Sequence, residues 1–216
     1  MKRLLMLIAC ASLALAAFLS TDTATATSSL TEADHVRWDI ISFNFAPPLT
    51  VSPGGHASAR ANDCEKITLT GSGTFVAPAG GSGSSSAVTG GGTWETFSET
   101  SPCTCSSSAT GTSTGSGTYE VTGLVRWDRA PFEPGNPAQP TIDLIGGGTP
   151  STGLAVLRIA YSDGDQGILV VSCTGVGATP PNLFEGITAS KGYVDYWNRE
   201  APVGGVDANR TLFHVR

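Results

Sequence analysis

Apolar and polar positions alternate with a period of two along much of the chain, and no long stretch keeps the period of an amphipathic helix. Runs rich in β-branched and aromatic residues predict strands over 36–45, 66–76, 88–97, 118–127, 141–145, 154–161, 167–173, 184–196 with a break, and 211–215. Gly, Pro, Ser and Thr clusters separate them. The pattern predicts an all-β fold, a single antiparallel β-barrel of about eight strands or a β-sandwich. The clearest hairpin joins Leu154–Tyr161 to Gly167–Cys173 through Asp163-Gly164, a dipeptide that tolerates the positive φ of tight turns. Both arms are apolar without alternation, so this hairpin is expected at the centre of the core, covered on both faces. Segments 80–86, 98–116 and 131–140 lack apolar side chains or are rich in proline, and read as surface loops.

Two short words recur. Gly71-Ser72-Gly73-Thr74-Phe75, Gly90-Gly91-Gly92-Thr93-Trp94 and Gly115-Ser116-Gly117-Thr118-Tyr119 each put two glycines and an aromatic ring on one strand face. Such glycines let a sheet coil or bulge beneath rings that fill the space above. Alternatively, three such strands side by side would floor a ligand hollow rimmed by Phe75, Trp94 and Tyr119. The second word is Val36-Arg37-Trp38-Asp39, repeated as Val125-Arg126-Trp127-Asp128. It sets Val and Trp on one face, and Arg and Asp on the other. That polar face is expected to hold a surface ion pair; alternatively, Arg126, Trp127 and Asp128 orient a polar ligand.

Composition narrows the class. Charged residues make up only 14%, too few for a coiled coil or a charge-rich disordered chain, while 40% hydrophobic residues suffice for a core. Lys2 and Arg3 precede a nearly unbroken apolar run to Leu19, shorter than a membrane span, and Ala24-Thr25-Ala26 fits a signal-peptidase site. Residues 1–26 are therefore read as a signal peptide and 27–216 as one secreted all-β domain. Cleavage would move the formal charge from −6 to −7, because Lys2, Arg3 and Asp22 leave together. An acidic surface disfavours nucleic acid as a partner, and no second apolar run could span a membrane. Four cysteines would remain: Cys64, Cys103, Cys105 and Cys173. An even number in an exported chain favours disulfides. Cys103 and Cys105 are too close in sequence to bridge each other without strain, so Cys64 is expected to pair with one and Cys173 with the other.

Chemistry-bearing motifs are incomplete. His35, His56 and His214 show no metal-ligand spacing, although His35 and His214 would meet if the first and last strands pair. No dinucleotide fingerprint or phosphate-binding loop is complete, so neither cofactor nor metal is expected. Gly111-Thr112-Ser113-Thr114-Gly115 matches a nucleophile-elbow pattern but lacks its strand and helix. Glu185 and Asp195 form the best acid pair.

The segment Phe184-Glu185-Gly186 through Lys191-Gly192, followed by the closing strand Leu212-Phe213-His214-Val215, resembles the end of allene oxide cyclase and dirigent-type barrels. That resemblance spans about thirty residues. It implies an eight-stranded barrel with a small apolar ligand at its mouth and Glu185 at the matching position. The whole chain also resembles uncharacterised exported microbial β-proteins. The leading expectation is non-catalytic binding of a small molecule or glycan. The alternatives are an isomerase or glycan-acting enzyme using Glu185 or Asp195, and a structural surface or matrix protein.

Overall fold

The computed structural model describes residues 33–78, 84–98, 111–130, 141–174 and 183–216. These belong to one compact unit, Thr31–Arg216, and form strands with no helix. In chain order they are β1 (His35–Asn44), β2 (Leu49–Pro53), β3 (Ala57–Arg60), β4 (Lys66–Leu69) and β5 (Ser72–Val76). Next come β6 (Val88–Ser98), β7 (Thr112–Arg129), β8 (Thr141–Asp143), β9 (Thr149–Ser151) and β10 (Gly153–Tyr161). The last are β11 (Gln166–Cys173), β12 (Gly186–Lys191), β13 (Val194–Tyr196), β14 (Asn198–Arg199) and β15 (Gly205–Val215). Among the described residues, no helix is long and apolar enough to cross a membrane.

The strands form one open sheet in the order β13-β12-β11-β10-β7-β6-β5-β1-β15-β9, with a branch β6-β4-β3-β14 and a short flank β1-β2-β8. A closed eight-stranded barrel was one of the two architectures expected, and the sheet corrects it. Closure requires each strand to keep one partner per edge around the ring. Here one edge of β6 is shared: Val88–Gly91 pairs with β5, and Trp94–Phe97 pairs with β4. The sheet therefore forks, and its path ends at β13 and β9 without pairing them.

The fork explains why 66–76 is two strands rather than one. Gly71 adopts φ +150°, and a Cβ there would lie 2.3 Å from the Tyr119 hydroxyl and 2.7 Å from the Gly91 carbonyl oxygen. The same Tyr119 hydroxyl donates to the Thr70 carbonyl at 2.8 Å, which fixes the break in place. The glycines of the first two words thus serve close backbone approach, whereas Gly115 and Gly117 of the third make room for the Trp94 ring, as a ring above strand glycines was expected to require.

Beneath the sheet, Trp38, Phe75, Trp127 and Phe213 are buried in one core cluster. Trp127 packs edge-on against Phe75 at 5.5 Å and Phe213 at 4.7 Å between centroids. Both copies of the Val-Arg-Trp-Asp word fold as their alternation predicts, with tryptophan inward. On the other face Arg37 grips buried Asp39 through two bonds of 2.8 Å, whereas Arg126 and Asp128 pair in solvent. First and last strands do pair, setting Arg37 opposite His214. Beyond the bulge between Ile41 and Phe43, β1 contributes these two residues to a second apolar cluster with Leu49, Val51 and Ala208.

Two further expectations change. The β10–β11 hairpin has its Asp163-Gly164 turn, with Gly164 at φ +98°, but only one face is fully covered. Ala155, Leu157 and Ile159 are buried while Leu154 and Val156 are half-exposed, because no second layer lies outside β10. Residues 112–116, expected as loop, begin β7, since threonine backbone pairs with β6 whether or not its side chain is buried. Ser98, also expected as loop, ends β6, and residues 84–86 lie outside the strands except for a bridge from Ser85 to Leu124, whereas 80–83, 99–110 and 131–140, with Cys103 and Cys105, lie outside the described residues. Cys64 and Cys173 are both buried.

A Cβ on Gly73 would sit 2.2 Å from the Thr89 carbonyl oxygen and 2.9 Å from Trp38 Nε1. Gly73→Ala is therefore expected to cost about 2–3 kcal/mol in urea unfolding. Ser72→Ala, one residue away and exposed, should stay within about 0.5 kcal/mol. Equal, small losses at both positions would contradict the close approach.

Candidate ligand-binding site

Strand alternation creates a polar outer face over the branch. In β4, Ile67 and Leu69 point into the core, which turns Lys66 and Thr68 outward; in β6, Trp94 and Thr96 point in, and Thr93, Glu95 and Phe97 out. The register aligns these outward groups in rows. Ser58, Thr68, Glu95 and Ser116 face one another across β3, β4, β6 and β7, and Thr93 sits opposite Thr118. The Ser58 and Thr68 hydroxyls meet at 2.8 Å, and those of Thr70 and Thr93 at 2.7 Å. Lys66 lies over the Phe97 ring at 4.5 Å.

The loop before β15, the first half of β15 and His56 just before β3 raise a wall beside this floor. Asn209 holds φ +51° while its side chain accepts from the Ser58 amide at 2.9 Å and donates to the Ala201 carbonyl at 3.1 Å. His56 meets Asp207 at 2.7 Å on the rim. Floor and wall enclose a cleft of about 780 Å³ that also touches Glu200, Val203 and Trp94. Glu200 is committed to a salt bridge with Arg60. Glu95, Lys66 and the row hydroxyls line the floor of the cleft, and His56, Asp207 and Asn209 its wall.

Of the three rings expected to rim a hollow, only Trp94 reaches this cleft. It is 5% exposed, donates its indole N–H to the Thr118 carbonyl at 3.1 Å, and packs edge-on against Tyr161. Lys191 covers its ring at 4.4 Å while binding Asp163 and Asp165 at the hairpin turn. Burial alone would lower the Lys191 pKa, but those two carboxylates carry it above its ordinary value, so the cap stays charged. Phe75, Tyr119 and Trp127 are packed in the core. Arg126 and Asp128 form an exposed ion pair elsewhere.

Glu185 lies in a different place, a pocket of about 200 Å³ on the second face, walled by Ile41, Phe43, Val51 and Leu212 and shared with Asp143, Arg210 and Cys173. It is 7% exposed. Its carboxyl accepts from the Thr211 amide and from both the amide and hydroxyl of Thr174, each at 2.9 Å. Burial outweighs these donors and pushes its pKa up. Asp143 goes the other way: burial would raise its pKa, but the bond to His214 Nε2 at 2.7 Å and the amides of Ile145 and Gly146 bring it below the ordinary value. Asp195 lines another groove, beside Trp197, so the two acids of the expected pair serve separate pockets. Among the described residues, no three His, Cys, Asp or Glu side chains gather as a metal site.

The sequence carries no distinct signal for the cleft, because Ser58, Thr68 and Glu95 are residue types found on any solvated strand face. Only the period-two positions flanking Ile67 and Trp94 could have signalled it. Comparison with protein-family models, curated proteins and solved structures found no match for this chain.

Because Glu185 binds its proton more tightly when folded, its contribution to stability is complete below the ordinary pKa of 4.5 and is lost as pH rises through the folded value. Glu185→Gln should cost about 1–3 kcal/mol by orphaning one of its donors. The stability difference between wild type and variant should then shrink as pH climbs from about 4 to 8 in urea titrations. A difference that stays constant across that range would show that burial does not govern this carboxyl.

Proposed function

We propose that this protein is an exported, non-catalytic binder of a polyhydroxylated ligand, a glycan, held in the outer cleft. The row Ser58-Thr68-Glu95-Ser116 beside Phe97 carries the reading. Neighbouring strands lie about 4.8 Å apart, so the row offers donors and acceptors at regular intervals that suit a ligand bearing a hydroxyl on each ring carbon. At one end of the row the Phe97 ring supplies apolar surface for the C–H groups of a sugar, and the Lys66 ammonium that lies over one face of the ring supplies a donor for its hydroxyls. A cleft of about 780 Å³ is large enough for more than one sugar unit.

Catalysis by an acid pair gains no support from the geometry, since Glu185 and Asp195 line separate pockets. The apolar leader before Ala26 supports export. Disulfides joining Cys64 and Cys173 to Cys103 and Cys105 belong to the same reading, and the burial of Cys64 and Cys173 suits them. The packing of β12 against β3 and β15 without backbone pairing supports a flattened, sandwich-like arrangement of the sheet.

A glycan array followed by calorimetry on the best oligosaccharide tests the function. Phe97→Ala and Glu95→Gln are each expected to weaken binding about tenfold, or 1.4 kcal/mol. Arg126→Ala, on an exposed pair outside the cleft, should leave it unchanged, and the oligosaccharide should be recovered intact. An array with no binder, or affinity indifferent to both cleft variants, would overturn the reading.

A further inference from the structure

The pocket beside Glu185 is separate from the cleft and differently built. Its walls are the faces of Ile41, Phe43, Val51 and Leu212, residues of the second apolar cluster that leave about 200 Å³ between them. At about 30 Å³ per water, that is room for roughly seven waters, or an organic molecule of similar size. Three charged side chains share the lining: Asp143, Glu185 and Arg210. Asp143 is matched by His214 at 2.7 Å. Glu185 is occupied by Thr174 and Thr211. Arg210 has no ion-pair partner among the described residues, and its charge is near enough to act on Glu185.

The Arg210 guanidinium is nevertheless held in place. Its Nε donates to the Val203 carbonyl at 3.2 Å, and its plane lies over the rings of Phe43 at 4.8 Å and Phe45 at 5.4 Å. Those two rings brace each other edge-on at 4.8 Å. What remains at the pocket is a pre-positioned fork of donors above an apolar hollow, the geometry that suits a carboxylate.

We propose that this pocket is a second ligand site, taking a small monocarboxylate whose apolar body lies against Ile41, Val51 and Leu212 and whose head pairs with Arg210. The two acids do not forbid an anion there. Burial favours the neutral form of Glu185, and one carboxylate oxygen of Asp143 is taken up by the hydrogen bond with His214 Nε2. From β15 the pocket presents Arg210, from β8 Asp143, and from the turn into β12 Glu185.

Hexanoate, hexan-1-ol and hexylamine share a chain and differ in the head, so calorimetric titration of all three against the intact protein tests the proposal. Hexanoate should bind, hexan-1-ol about tenfold more weakly, and hexylamine without measurable heat. Arg210→Gln should lower hexanoate affinity about tenfold while leaving hexan-1-ol within about twofold. If that variant does not fold, Arg210→Lys, which keeps the charge without the fork, should show a smaller loss. Amide shifts induced by hexanoate should centre on Val51 and Leu212, with Thr68 and Thr93 of the cleft unmoved, which separates this site from glycan binding. Equal binding of the three heads, no binding of hexanoate, or a hexanoate affinity indifferent to Arg210 would overturn the proposal.

Discussion

Along one edge of β6 two strands take turns as partner, and where they change over, the backbones come too close for any side-chain carbon. A Cβ on Gly92 would lie 2.0 Å from the Thr70 carbonyl oxygen, and one on Gly90 would lie 2.4 Å from that of Ser72. This contact forces glycine on both sides of the fork. It also decides the architecture: β5 continues toward β1 and the aromatic core, while β4 turns away and carries β3 and β14 with it. The cleft exists because the branch carries its outward hydroxyls beside the loop that enters β15. A single strand through 66–76 would have kept one partner along β6 and left no branch.

Much of this was legible in the residues. Period-two alternation identifies the strands around Trp38 and Trp127, unbroken apolar runs identify those around Leu157 and Leu169, and Asp163-Gly164 marks the hairpin that joins them. The glycine words announce a sheet under unusual shape constraint. They do not reveal which backbone each glycine must admit, because that depends on Tyr119 and Thr89 arriving from distant parts of the chain. Strand β3 was invisible for a different reason: Ala57-Ser58-Ala59-Arg60 has no β-branched or aromatic residue and is a strand only because β4 and β14 pair with it. Strand β8 was anticipated, but its parallel pairing with β2 was not, since three residues carry no signal of direction. Glu185 was singled out as one of an acid pair with Asp195 and by a local likeness, and its pocket depends on β1, β2 and β15 meeting there.

Identical words acquire different weights from their surroundings. Arg37–Asp39 and Arg126–Asp128 have the same spacing and the same tryptophan between them. Asp39 is buried and doubly bonded, so removing Arg37 would leave a buried carboxylate without its partner, a loss of about 1–3 kcal/mol for an orphaned polar group. Arg126 and Asp128 lie in water, where a pair contributes about 0–1 kcal/mol. The difference arises because β1 is covered on both faces, by the aromatic core below and the second apolar cluster above. That same cover shapes the pocket around Arg210.

The partner exchange on β6 is the claim on which the architecture and the cleft both rest, and cross-strand NOEs between backbone protons read it directly. The fork requires contacts from Gly91 to Ser72 of β5 and from Glu95 to Thr68 of β4 in the same molecule. Observing both sets supports the account. A β6 whose whole edge shows contacts to a single partner strand, or contacts joining β13 to β9 as closure would require, contradicts it.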